Sequence, residues 1–323
     1  MARHTIVTAF GIALLLTGCS ANQELAYHDG RGSDVVACTY KHKYGVEVPR
    51  SDWESRGRDG QVITTLKSGV TVTKDYAGGV LVGDTTYTFP HSNTIETVET
   101  YRNGKCTKIV TNYTSGLPQR EEEKTASGST VVTLWYDSGN PMSVEELRGE
   151  RVLTGSYYSI DEQCDAEVLA GEGERKVRDA YGQLLSVDSI SDGWLTLRTT
   201  FHSNGSPKEY IPYEYSVING LKKTFLPSGE PSTVEEWSNG IQQGITISYR
   251  NGEKFSEIPF ENGYKKGVER RYYNGAELQE EVSWHNDQRH GPTRAYVGDA
   301  VKTDWYYQNR LVSKLVFDQM AHG

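Results

Sequence analysis

His285 and His290 stand five residues apart on either side of a turn, where a hairpin would bring two imidazoles together. Two ring nitrogens do not hold a metal, and no cysteine or carboxylate at ligand spacing completes a set. His202 follows Phe201 at a turn and His91 lies in Pro90-His91-Ser92, so both read as solvent-facing. Acids recur at Glu121 to Glu123, Glu145-Glu146, Glu209, Glu235-Glu236, Glu257 and Glu280-Glu281. Glycoside hydrolysis needs two carboxylates about 5–10 Å apart in a cleft, one of them buried. Acids at a fixed offset in a repeat describe a solvated charged face instead. Gly171-x-Gly173 lacks the Lys-Ser/Thr of a phosphate loop and the strand–helix setting of a dinucleotide site. No Gly-x-Ser-x-Gly elbow occurs. The sequence therefore assigns no catalytic residue, no metal and no cofactor, and the expectation is a protein that is not an enzyme.

Cys19 is different. A short positive start at Arg3 precedes a mostly apolar run from Thr5 to Leu16. That run is too short for a spanning helix, which needs about 20 residues, and has the length of a signal-peptide core. It ends in Leu16-Thr17-Gly18-Cys19, which resembles the bacterial lipobox and marks residues 1–19 as a lipoprotein signal peptide with Cys19 as the acylated residue. Ser20 after the cysteine resembles the pattern sorted onward to the outer membrane. A diacyl plus an N-acyl chain exceeds the two signals needed for stable anchoring. Cys38, Cys106 and Cys164 remain, an odd number that permits at most one internal disulfide. Their spacings match no zinc or redox motif, and buried free thiols are expected.

Whatever these residues do, strands and turns must position them. Large aliphatics are scarce, with 36% hydrophobic residues, while 21 Tyr, 7 Phe and 6 Trp accompany 33 Gly. Half-buried rings on pleated strands suit that mixture, whereas a helix-rich enzyme with an aliphatic core does not. The net charge of -9 leaves no basic excess for phosphates, so nucleic acid and anionic lipid are excluded as partners.

A repeat runs through most of the chain. Trp237-Ser-Asn-Gly240, Phe260-Glu-Asn-Gly263, Trp284-His-Asn-Asp287 and Tyr307-Gln-Asn-Arg310 recur every 23 or 24 residues. A second glycine follows at Gly244, Gly267 and Gly291, and a second turn at Asn251-Gly252, Asn274-Gly275 and Gly298-Asp299. Upstream, Gly78-Gly79, Asn103-Gly104, Ser115-Gly116, Ser138-Gly139, Asp192-Gly193, Asn204-Gly205, Asn219-Gly220 and Ser228-Gly229 are read as turns that continue the beat. Turns at such spacing describe an all-β chain, and Asn-Gly is the strongest short hairpin signal. A lone hairpin is marginal in water, so neighbours must stack. Trp237, Tyr249, Phe260, Tyr272, Trp284 and Tyr307 stand at a constant offset from their turns and are expected to form aromatic ladders, with outward rings as a candidate binding surface. The expected fold is an elongated antiparallel β-meander of hairpin repeats in a single extended sheet.

Asn-Gly, a glycine four further on, an aromatic and a second turn glycine together resemble MORN-type repeats. The resemblance is to the degenerate variant termed the YwqK-like antitoxin family. Gly240, Gly244, Tyr249 and Gly252 carry it, as do Gly263, Gly267, Tyr272 and Gly275. The stricter Gly-x-Gly core is missing, and residues 150–200 match poorly. Lys43 to Pro49 and Thr85 to Ser92 look like stretches of chlamydial lipoproteins that bear such repeats. The resemblance implies a β-meander binding scaffold without catalytic residues. An antitoxin role would require a cytosolic partner, which the lipobox contradicts.

The expected organisation is signal peptide 1–19, flexible spacer 20–34, β cap 35–75, repeat array 76–316 and a frayed tail 317–323. Asp161 to Arg178 reads as an inserted loop or a bend. The function expected is a lipid-anchored envelope scaffold for an unidentified envelope protein, on the outer membrane. The alternative is a carbohydrate- or peptidoglycan-binding module using exposed aromatics.

Overall fold

The computed structural model of the chain describes residues 34–322. Cys19, the signal segment and the spacer up to residue 33 lie outside the described residues. Among the described residues, twenty-eight strands and two short helices follow in chain order, all strand pairs being antiparallel and in meander order within one open sheet. The all-β meander read from the turns is the observed fold. Two compact units divide the chain, residues 1–123 and 124–323.

In the first unit, β1 (Val35–His42) lies between β2 (Glu47–Val48) and β3 (Gly60–Leu66), and β4 (Thr71–Ala77) follows β3. The turn at Ser68-Gly69 joins these last two. Helix α1 (Arg50–Ser55) was not expected: one and a half turns carry no periodic signal. Pro49 starts it, and its Trp53, 4% exposed, packs between Tyr40 and Tyr76 at 5.9 and 6.2 Å. Hairpins then continue to the strand Pro118–Lys124.

In the second unit, Asp161 to Arg178 is neither an insertion nor a loop. It contributes the strands Cys164–Leu169 and Glu172–Arg178, joined by a tight turn at Ala170-Gly171. Here the sheet curls on itself. The Val152 amide donates to the Gly193 carbonyl at 2.9 Å, the Gly193 amide to Gly171 at 2.8 Å, and the Tyr136 hydroxyl to the Tyr158 carbonyl at 2.7 Å. Val152, Tyr157, Val168 and Ile190 fill the curl and make a compact apolar cluster. The stretch least like the repeat thus holds the best-formed core.

The tail is a helix, α2 (Lys314–His322), rather than a frayed end. Its Phe317 packs on Trp305, His290 and Tyr307 at ring separations of 5.1, 5.3 and 6.3 Å. Three aromatic partners outweigh the weak helix propensity of nine residues.

Turn chemistry is uniform on one margin of the second unit and mixed on the other. Ala170-Gly171, Asp192-Gly193, Tyr215-Ser216, Asn239-Gly240, Asn262-Gly263, Asn286-Asp287 and Gln308-Asn309 hold positive φ at both residues, as a type I′ turn demands. These turns are stitched to one another. Gly240 donates to Ile218 at 2.8 Å, Gly263 to Gln242 at 2.9 Å and Asn309 to Arg289 at 2.9 Å, each carbonyl lying about two strands back. On the other margin, three-residue loops close at Gly182, Gly205 and Gly229, and positive-φ pairs recur at Asn251-Gly252 and Asn274-Gly275.

Candidate binding surfaces

The repeat's second glycine is not a turn. Gly83, Gly220, Gly244, Gly267 and Gly291 all lie within the sheet at positive φ, where the ladder register slips by two residues. Across the strand from each stands an aromatic: Tyr101, Trp237, Phe260, Trp284 and Tyr306. A β-bulge leaves a gap that glycine's missing side chain widens, and the opposite ring covers it. For Trp237, Phe260 and Trp284 the expected constant offset coincides with this pairing of bulge glycine with ring.

The rings do not form ring-on-ring ladders. Cations stand between them. Phe260 pairs with Lys265, whose Nζ lies 4.8 Å from the Trp284 ring; Trp284 pairs with Arg289, which lies 5.3 Å from Tyr306. A second row runs Tyr249, Lys254, Tyr272, with Nζ 4.1 Å over the last ring. A cation over a ring contributes about 0.5–1 kcal/mol at exposed sites. Polar ends of the rings meet carboxylates. Trp237 Nε1 donates to Glu235 at 2.9 Å, and Tyr272 Oη to Glu257 at 2.7 Å. Buried Glu269 accepts from Trp284 Nε1 at 2.8 Å and Arg271 Nε at 2.6 Å. The hydrogen bond from Tyr272, with that from Lys254, holds the Glu257 carboxyl below its ordinary range.

This corrects the outward-ring expectation. Trp237, Tyr249, Phe260, Tyr272, Trp284 and Tyr307 are all half-buried and packed within the sheet. Tyr307 stacks beside His290 at 5.0 Å under α2, and Tyr306 takes the repeat position over Gly291. His285 and His290 do meet, with rings 5.7 Å apart, in an aromatic cluster. Cys38, Cys106 and Cys164 form no disulfide, and the expected burial is not met: Cys38 and Cys106 are half-buried and Cys164 is exposed at the start of its strand.

What the surface does present is aliphatic. Leu221, Ile245 and Val268 each stand just after a bulge glycine. Leu221 and Ile245 are 54% and 52% exposed, and Ile245 pairs with Pro259, which lies beside Val268. With Gly267, Glu257 and Arg270 these three line a shallow cleft of about 290 Å³. An ion-pair row flanks it: Arg270 to Glu281 at 3.5 Å and Arg294 to Glu281 at 3.2 Å. On the turn margin Val217, Ile241 and Tyr264, each following a type I′ turn, are also exposed. The sequence reading missed these residues because it followed aromatics. The signal was present in the residue after three of the five bulge glycines: Leu221, Ile245 and Val268.

In the curl, fully buried Asp188 sits between two arginines on neighbouring strands. Arg175 donates from Nε and Nη2 at 3.0 and 2.8 Å, and Arg198 from Nε and Nη2 at 2.7 and 2.8 Å. Glu145 closes the set, accepting from Tyr157 Oη at 2.7 Å with Arg175 at 3.9 Å. Every oxygen of Asp188 is occupied, which fits a structural knot rather than a ligand site.

No family model matches the chain. No curated protein matches it either. Among solved structures it is similar to a porin-like protein from Bacteroides uniformis ATCC 8492, at 10% identity over 76% of this chain and 89% of that one, with a TM-score of 0.16. A score that low carries no functional meaning.

Proposed function

We propose that the chain is a non-enzymatic, lipid-anchored bacterial envelope protein of the outer membrane whose β-hairpin array serves as a scaffold for protein contacts. The observation that carries this reading is the apolar cleft of exposed Ile245 with half-buried Pro259 and Val268, rimmed by the Arg270–Glu281–Arg294 ion pairs. An apolar strip with a charged rim is the anatomy of a protein interface. The MORN-like reading belongs to the same proposal. It is supported by the 23–24-residue hairpin unit with its bulge glycine and covering ring.

Two measurements test it. Capture of the full chain from membranes in mild detergent is expected to recover one stoichiometric protein, and Ile245→Glu is expected to lose it while circular dichroism stays unchanged. Recovery of the same partner at the same yield by Ile245→Glu would remove the interface. Anchoring is tested separately: palmitate labels the wild type, Cys19→Ala is expected to lose the label, and equal labelling of both would sink it.

A glycan-binding reading draws on other rings than those first singled out. Tyr215 and Tyr264, 69% and 53% exposed, project from the turn margin. Peptidoglycan binding that is lost in the Tyr215→Ala, Tyr264→Ala double variant and retained in Ile245→Glu would favour it.

A further inference from the structure

We propose that Asn251 and Asn274 are sites of spontaneous deamidation, converting ahead of the other Asn-Gly pairs of the chain. Asparagine is a thermolabile residue, and a following glycine has no side chain to hinder its own amide nitrogen as the attacking group. The sequence holds seven Asn-Gly pairs, which residue type alone ranks equally. The reaction needs the glycine N–H free. Its nitrogen loses the proton to water or hydroxide and attacks the asparagine Cγ, so that an N–Cγ bond forms. The Cγ–Nδ2 bond breaks and ammonia leaves with the proton. Water then opens the succinimide ring at either carbonyl, giving an aspartyl or a β-linked isoaspartyl residue. The sum is amide plus water to acid plus ammonia, with no oxidant or catalyst.

The fold separates the seven. Gly104, Gly240 and Gly263 donate that N–H to the carbonyls of Leu81, Ile218 and Gln242 at 3.0, 2.8 and 2.9 Å, and Gln243 Nε2 also holds the Asn262 Oδ1 at 3.2 Å. Gly205 donates to His202 at 2.9 Å, while the Asn204 side chain is held by Ser206 and the Pro227 carbonyl. Asn219 donates from Nδ2 to Glu214, and Gly220 is paired in the sheet opposite Trp237. Asn251-Gly252 and Asn274-Gly275 are different. Both lie in turns between strands, and among the described residues neither glycine amide has an acceptor and neither asparagine side chain a hydrogen bond. Exposure does not draw this line, since Asn103, Asn239 and Asn262 are exposed as Asn251 and Asn274 are.

The two open turns are neighbours. A methyl group at Gly275 would meet the Glu253 Cβ at 3.6 Å, and one at Gly252 would meet nothing within 4 Å, so Asn251 is the more accessible. An isoaspartyl residue there lengthens a two-residue turn by one main-chain carbon. The turn sets the register of the Arg250–Glu253 and Tyr249–Lys254 pairs that it closes. Lys254 in turn stands 4.1 Å over Tyr272 and donates to Glu257 at 2.9 Å, so the change reaches the cation row.

The full chain, kept in mild detergent and mildly alkaline buffer, is sampled over time, digested and mapped by mass spectrometry for the amide-to-acid mass gain. Asn251 and Asn274 are expected to convert about tenfold or more faster than Asn239 and Asn262, whose glycine amides must first be released from their hydrogen bonds. The same chain held in urea is the control, and there the four sites are expected to convert at similar rates. Equal rates at the four sites in the folded protein would overturn the proposal. A preference of the same size in urea would do so too, since it would come from the flanking side chains and not from the fold. So would an Asn251 that persists in the folded protein while the chain in urea converts.

Discussion

Asp188→Ala is expected to cost about 3–5 kcal/mol, the largest effect of any single truncation in the second unit. The reason is what stays behind. Arg175 and Arg198 direct four N–H groups at one carboxylate with no solvent exposure, and removing it leaves two guanidiniums facing each other without a counter-charge. Urea unfolding followed by tryptophan fluorescence measures the loss. The triple variant Asp188→Leu, Arg175→Met, Arg198→Met should regain most of it, because apolar replacement of a whole buried ion cluster is close to neutral. A loss under about 1 kcal/mol for Asp188→Ala would show the arginines reaching water and the knot contributing little.

The same carboxylate sets an acid limit. Burial pushes the Asp188 carboxyl up, but the hydrogen bonds and charges of Arg198 and Arg175 outweigh it and hold the group below its ordinary value. A carboxyl depressed in the folded state contributes stability that is complete above its unfolded pKa, about 3.9, and fades as pH falls through the folded one. The urea midpoint is therefore expected to hold from neutral pH down to about 5 and to fall below about 4. Asp188→Asn should be less stable at neutral pH and should show a shallower acid slope. Equal slopes in the two proteins would assign the acid loss elsewhere, Glu257 being the next carboxyl held low.

The turns were legible because a type I′ turn tolerates few residues: Asn-Gly can hold two successive positive φ angles and most pairs cannot. Gly267 was visible as a residue but not as a bulge, since a glycine inside a strand and one beside a turn leave the same mark in sequence. Its neighbour across the sheet, Trp284, comes seventeen positions later, a separation that only the fold explains. The ring ladders failed for a related reason. Lys265 and Arg289 each lie two residues past a turn, and the register that sets aromatics two strands apart also sets these cations between them. Asp188 had a signal that went unread. In Ser186-Val-Asp-Ser-Ile190 the buried positions alternate as Ser186, Asp188 and Ile190, so an acid occupies the core period of its strand. An acid in that period implies buried cations on adjoining strands. α1 and α2 stayed hidden because each is held by one aromatic, Trp53 or Phe317, whose partners are remote in sequence.

Gly173→Ala is expected to destabilise the second unit by about 3 kcal/mol or more. Gly173 holds φ at +140°, and a methyl group there would lie 2.1 Å from the carbonyl oxygen of Glu167, with no flexible side chain able to yield. Two strands, Cys164–Leu169 and Glu172–Arg178, must separate to admit it, and the latter carries Arg175 to Asp188. Gly128→Ala is the control. It has a positive φ of +82° with nothing within 4 Å, so only the backbone conformation opposes it, at about 1–2 kcal/mol. The difference between the two measures how closely the curl's backbones approach, apart from glycine's entropy, which is common to both. Should Gly173→Ala melt no earlier than Gly128→Ala, the strands have room to spare. The curl then owes its shape to the Val152, Tyr157, Val168 and Ile190 cluster alone, and the charged knot need not be tight for the array to bend there.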